Sequence, residues 1–117
     1  MSVINPLQLH QLSKFMTLQQ IHALLISFLD PEISGREKLI SAFNDENPAK
    51  ILEMAHFLKG AASLIGMQGI VDNCQNIEQQ LKENPTPHLN ELLLGFEKIW
   101  QETELVIQQF MADGAKP

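Results

Sequence analysis

The chain has 117 residues, 44% of them hydrophobic, with a single cysteine and a net charge of −6. That length suits one domain over residues 1–117, and so apolar a composition excludes a disordered acidic tail. The negative charge argues against nucleic acid, the lone cysteine excludes an internal disulfide and a cysteine-built zinc site, and no apolar run approaches the ~18 residues needed to span a membrane. The start, Met1-Ser2-Val3-Ile4-Asn5-Pro6, has no basic stretch ahead of an apolar one, as a secretion signal would. The expected location is therefore the cytoplasm.

Asn5-Pro6 opens a short first helix, read over 5–14, with an asparagine cap and a proline at the first helical position, where its missing N–H costs nothing. Thr17-Leu18-Gln19-Gln20 has the form of a capping box and begins the apolar stripe Leu18, Ile21, Leu25 and Phe28. The expectation here is one long helix over 17–44, kinked at Asp30-Pro31 and weakened at Gly35, with two helices as the alternative. Asn47-Pro48 starts a helix over 48–65, whose stripe is Ile51, Ala55, Leu58, Ala62 and Ile65. Gly66 is placed to end it in the left-handed conformation and to release a helix over 67–83 with Ile70, Cys74, Ile77 and Leu81 in line. Thr86-Pro87 starts the last helix, 87–112, striped by Leu89, Leu92, Phe96, Ile99, Thr103, Val106 and Phe110. No stretch alternates with period 2, so no strand is expected. Short connections set neighbours antiparallel. The predicted fold is all-α: an antiparallel up-down four-helix bundle with a short N-terminal capping helix, its core over about 17–112 and its tail, 113–117, frayed.

The chemistry-bearing face lies on the helix over 48–65. His56 sits one residue, about 100°, off the core stripe. Lys59, Gly60 and Ser63 follow at i+3, i+4 and i+7, so an imidazole, an ammonium, bare backbone and a hydroxyl share the border between core and solvent. Glycine inside a helix costs ~1 kcal/mol relative to alanine. Gly60 serves either a small-residue crossing with the next helix or clearance around His56.

The segment Ala55-His56-Phe57-Leu58-Lys59-Gly60-Ala61-Ala62-Ser63-Leu64-Ile65-Gly66 resembles the signature of histidine phosphotransfer (HPt) domains: His-x-Leu-Lys-Gly, then small residues and a second glycine ten positions after the histidine. Cys74, Ile77 and Glu78 continue that family's pattern, and the resemblance covers nearly the whole chain. It implies a phosphorelay intermediate that takes a phosphoryl group from an aspartyl phosphate of a response-regulator receiver domain, or returns it, with no kinase activity of its own. Carried over by position, His56 is the phosphoacceptor, Lys59 lies beside the phosphoryl group, Gly60 keeps the approach open, and Glu78 hydrogen-bonds the imidazole. A carboxylate accepting Nδ1–H fixes one tautomer and leaves the Nε2 lone pair outward. Lys82, one turn past Glu78, is a possible second charge, and Ser63 a possible further contact.

The partners so implied are receiver domains and a hybrid sensor histidine kinase, met by a monomeric, free-standing carrier. No cofactor is expected. The Mg²⁺ of the reaction belongs to the receiver. Two other readings compete: a helical adaptor that never carries phosphate, and a degenerate relative that keeps the bundle without transfer. Phe57 and Leu64, off the core stripe, are the expected apolar docking contacts. For the remaining candidates the structural reading is preferred: His22 half-buried, His10 and His88 solvated near helix starts, Cys74 in the core, and Trp100 packing.

Overall fold

The computed structural model describes residues 3–84 and 87–112. Among these there are seven helices and no strand: α1 Pro6–Leu12, α2 Leu18–Leu29, α3 Pro31–Ser34, α4 Arg36–Asn44, α5 Pro48–Leu64, α6 Gln68–Glu83 and α7 Leu89–Ala112. The Thr86 cap and the frayed tail over 113–117 fall outside the described residues. None of the helices is long and apolar enough to cross a membrane.

The helix starts follow local chemistry. The Asn5 side chain accepts hydrogen bonds from the Leu7 and Gln8 amides, and Asn47 accepts from the Lys50 amide, each ahead of a proline. Thr17 and Gln20 form the reciprocal capping box. These contacts satisfy N–H groups that a helix start would otherwise leave without partners.

The long helix over 17–44 is not one helix. It divides at Asp30 and again at Gly35. Asp30 turns extended, and its carboxylate accepts from the Glu32 and Ile33 amides at 2.9 and 3.3 Å, capping a four-residue helix that begins at Pro31. Proline cannot continue the α2 ladder, and a neighbouring aspartate offers the backbone a better use as a cap. Gly35 then takes φ +88°, a left-handed conformation that favours glycine, and the Phe57 ring lies over it, 3.1 Å from where a Cβ would stand. A second correction concerns the last helix, which begins at Leu89 and leaves Pro87 and His88 ahead of it.

α5 packs chiefly on α6 and also on α4, while α7 lies against α6, α4 and α2. The whole α5 stripe is buried, as are Ile70, Cys74 and Ile77 of α6, whereas Leu81 is half-buried. On α7 the buried line is Phe96, Trp100, Thr103 and Ile107. Val106, expected in the core, is exposed, and Ile107 has its place. Trp100 stacks on Phe28 with ring centroids 5.3 Å apart, and the Arg36 guanidinium covers the ring at 5.3 Å. The buried Thr103 hydroxyl donates to the Ile99 carbonyl at 2.7 Å, so it enters the core satisfied. α7 approaches α6 closely at Gly69, where an added Cβ would stand 2.8 Å from Ile99 Cδ1.

The N-terminal segment fastens the junction of α5 and α6. The Asn5 amide donates to the Gly66 carbonyl at 2.7 Å, the Gly69 amide to the Val3 carbonyl at 3.0 Å, and Gln8 Nε2 to the Leu64 carbonyl at 2.8 Å. Gly66 has φ +76°, the left-handed turn expected of it. Leu9 buries the inner side of α1. That junction sets how α5 and α6 lie together, and so where their side chains meet.

Candidate functional site

Ala55 and Leu58 are fully buried, and they lock the rotation of α5. His56, between them, is thereby turned to the rim, where its side chain is 76% exposed. Lys59 is partly covered, with 28% of its side chain exposed. Gly60 and Ser63 continue along the open side of the helix. Nothing stands within 4 Å of the position a Gly60 Cβ would take. Of the two readings of this glycine, the structure favours clearance over a helix crossing.

α6 brings Glu78 to the same place. Its carboxylate, only 12% exposed, lies 2.8 Å through Oε1 from Lys59 Nζ and 4.0 Å through Oε2 from His56 Nδ1. The direct hydrogen bond expected between Glu78 and the imidazole is therefore not made, since 4.0 Å exceeds the ~3.2 Å limit of such bonds. The partner Glu78 has here is Lys59. The physical reason is charge: an ammonium offers a carboxylate a full opposite charge, whereas a neutral Nδ1–H offers a dipole.

His56, Lys59, Gly60 and Ser63 line one shallow groove together with Val71 and Gln75 of α6. Lys59, Gln75 and Glu78 line a neighbouring groove with Gln79, Lys82 and Glu83. The structure thus gathers His56, Lys59, Gly60, Ser63 and Glu78, and places Lys82 next to them in the second groove. Val71 and Gln75 were missed from the sequence. Their signal was present, because Val71, Gln75, Glu78 and Lys82 step by 4, 3 and 4 and form a second stripe on α6 beside the apolar one.

Cys74 lies in the core beneath this pair of helices. Burial, and then the negative charge of Glu78, push its thiol up to about 12, against the opposing effect of Lys59. It is a protonated packing group at neutral pH. Phe57 and Leu64 are both exposed, and Phe57 also lines a groove with Ile33 and Met54. His22 is half-buried, edge-on to Phe110 with centroids 5.7 Å apart. His88 is exposed just ahead of α7, and His10 is exposed in the last turn of α1 rather than near its start.

Among the described residues no three of histidine, cysteine, aspartate and glutamate gather as a metal site. What the face presents is an accessible imidazole, a lysine–glutamate pair behind it and bare backbone one turn on. Such a set can expose a nitrogen nucleophile and balance an incoming anion. A family model described as Hpt domain matches residues 16–111. No curated protein and no solved structure matches the chain.

Proposed function

The chain belongs to the Hpt domain family, and from that premise we propose that it is a phosphorelay carrier with His56 as its phosphoacceptor. The Nε2 lone pair attacks the phosphorus of an aspartyl phosphate on a receiver domain, and the reverse step passes the group on. Nδ1 is the ring nitrogen nearest Glu78, which leaves Nε2 for the incoming phosphorus. Lys59 supplies positive charge to the phosphoryl oxygens, and Lys82, in the neighbouring groove with Lys59 and Glu78, is the candidate for a second charge. Gly60 keeps the receiver's approach open, and Ser63 borders the same approach.

The carrier does no kinase chemistry of its own. Phosphoryl transfer calls mainly for positioning and charge, and the receiver brings the Mg²⁺ and the acidic residues. The matching architecture is an up-down four-helix bundle in which α2 to α4 together make one arm, α5, α6 and α7 make the others, and α1 caps an end. Its setting is the cytoplasm, as a monomer, between a hybrid sensor kinase and response regulators, with exposed Phe57 and Leu64 as apolar docking contacts.

The observation that carries this reading is an imidazole 76% exposed beside a glycine that faces open space. The test is incubation with phosphorylated receiver domains. Acid-labile, base-stable phosphate should appear on the chain and be absent from His56→Gln. Receiver binding without any such label would favour the adaptor reading and overturn the carrier.

A further inference from the structure

Two donors converge on one largely buried carboxylate. Lys59 Nζ holds Glu78 at 2.8 Å, and His56 Nδ1 waits at 4.0 Å. We propose that phosphorylation exchanges these partners: Lys59 leaves Glu78 for the phosphoryl oxygens, and Glu78 closes on the Nδ1–H of the phosphorylated ring. The inference rests on His56 being the phosphoacceptor, and it makes Glu78 a positioning residue whose partner depends on the state of the site.

Bonds and charges balance. The Nε2 lone pair forms the N–P bond as the bond from phosphorus to the donor's carboxylate oxygen breaks, and that electron pair leaves with the oxygen. The ring keeps its Nδ1–H and becomes a cation, so no proton moves. Before transfer the ring offers Glu78 a dipole and the ammonium offers a full charge, and the ammonium prevails. After transfer the phosphoryl dianion outcompetes a single carboxylate for Lys59, while the Nδ1–H now belongs to a cation. Every charge in the cluster finds an opposite one, and the carboxylate is never left buried and alone.

The motion required is small. Bringing 4.0 Å down to a charge-assisted bond of about 2.8 Å is within reach of the terminal torsions of a glutamate. Lys59 already borders the groove of His56 and that of Glu78, so its ammonium swings between them across the surface. The ion pair acts as a latch. It keeps the carboxylate off the ring until a phosphoryl group draws the lysine away, and the ring is clamped once it is loaded.

The test uses the whole chain and phosphoramidate, whose own N–P bond breaks as ammonia leaves with the electron pair. Phosphorus NMR reads the phosphohistidine, and proton–nitrogen NMR of the ring reads how fast Nδ1–H exchanges with water. In the unphosphorylated chain that exchange should be equally fast in wild type and Glu78→Ala, and Lys59→Gln should displace the carboxyl-carbon resonance of Glu78. In the phosphorylated chain exchange should be about tenfold slower in wild type than in Glu78→Ala, and Lys59→Gln should no longer move the Glu78 resonance. Suppose the N-phosphoryl signal is present, yet exchange is equal in the two proteins or Glu78 still responds to Lys59→Gln. The exchange of partners is then wrong and the carrier stands. No phosphate on His56, from phosphoramidate or from a phosphorylated receiver, overturns both.

Discussion

Gly60 and Gly69 stand nine residues apart, each inside a helix, and they face opposite demands. A side chain at Gly60 would meet nothing within 4 Å, whereas at Gly69 it would run into Ile99 at 2.8 Å. The local penalty of ~1 kcal/mol for a mid-helix glycine falls on Gly60 and not on Gly69, the second residue of α6. At Gly69 the return is contact, because α7 can close on α6. At Gly60 it is access, a bare strip of α5 beside His56. A helical glycine shows that something comes close. Whether the visitor is another part of the fold or another molecule depends on which way the helix face points.

The outer face can be tested most severely by His56→Gln. It should lose all phosphate uptake while stability stays within ~0.5 kcal/mol in urea denaturation, as expected for an exposed position. Labelling that persists on another histidine would strip the outer face of its role.

The inner face answers to Gly69→Gln. Forcing a side chain into the α6–α7 contact should cost about 1–3 kcal/mol of stability, read from the same denaturation curves. A neutral result would mean that Ile99 moves aside freely and that the two glycines differ less than their surroundings suggest.

A smaller effect is expected behind His56. Lys59→Ala and Glu78→Ala should each slow transfer by about tenfold, or ~1.4 kcal/mol of barrier, with Lys59→Ala also weakening retention of the phosphoryl group. Rates measured in both directions separate the two roles. Unchanged rates in Glu78→Ala would mean that the carboxylate takes no part in transfer.

Gly60→Gln should raise stability by up to ~1 kcal/mol, yet it should slow transfer by crowding the receiver. The same glutamine would then raise stability at one glycine and lower it at the other. A strong loss of stability at Gly60 with normal transfer would erase the distinction between the faces. Cys74 makes stability depend on pH only in alkali. The unfolded thiol gives up its proton near the ordinary 9.0 and the folded one near 12, so its contribution to stability falls as pH rises through that window. Denaturation curves at pH 9 and above, compared with Cys74→Ala, check the sign.

The α5 stripe was readable residue by residue, because one helix buried along one side has a single periodic solution. α7 was not so constrained. Leu105, Val106 and Ile107 are consecutive and apolar, and a line of seven residues drawn through Val106 fits as well as one through Ile107 until Trp100 fixes the rotation against Phe28. The break at Asp30-Pro31 was visible as a signal, but its outcome was not, since a kink and a cap begin from the same two residues. At the site, the positions of His56, Gly60 and Glu78 followed from the resemblance and the helical spacing. The Lys59–Glu78 contact did not, because it depends on how α5 and α6 lie across each other, a distance that no spacing along either helix contains.

The hydrogen bonds that seat α1 have a consequence for the order in which the chain matures. Gln8 finds its partner 56 residues downstream, and Asn5 and Val3 find theirs at Gly66 and Gly69. A seven-residue helix cannot persist alone in water. α1 leaves the ribosome ahead of its partners and is thus among the last of these helices to settle, waiting unsupported until the junction of α5 and α6 has emerged. Its docking would mark the completion of the junction that sets the spacing of His56 and Glu78.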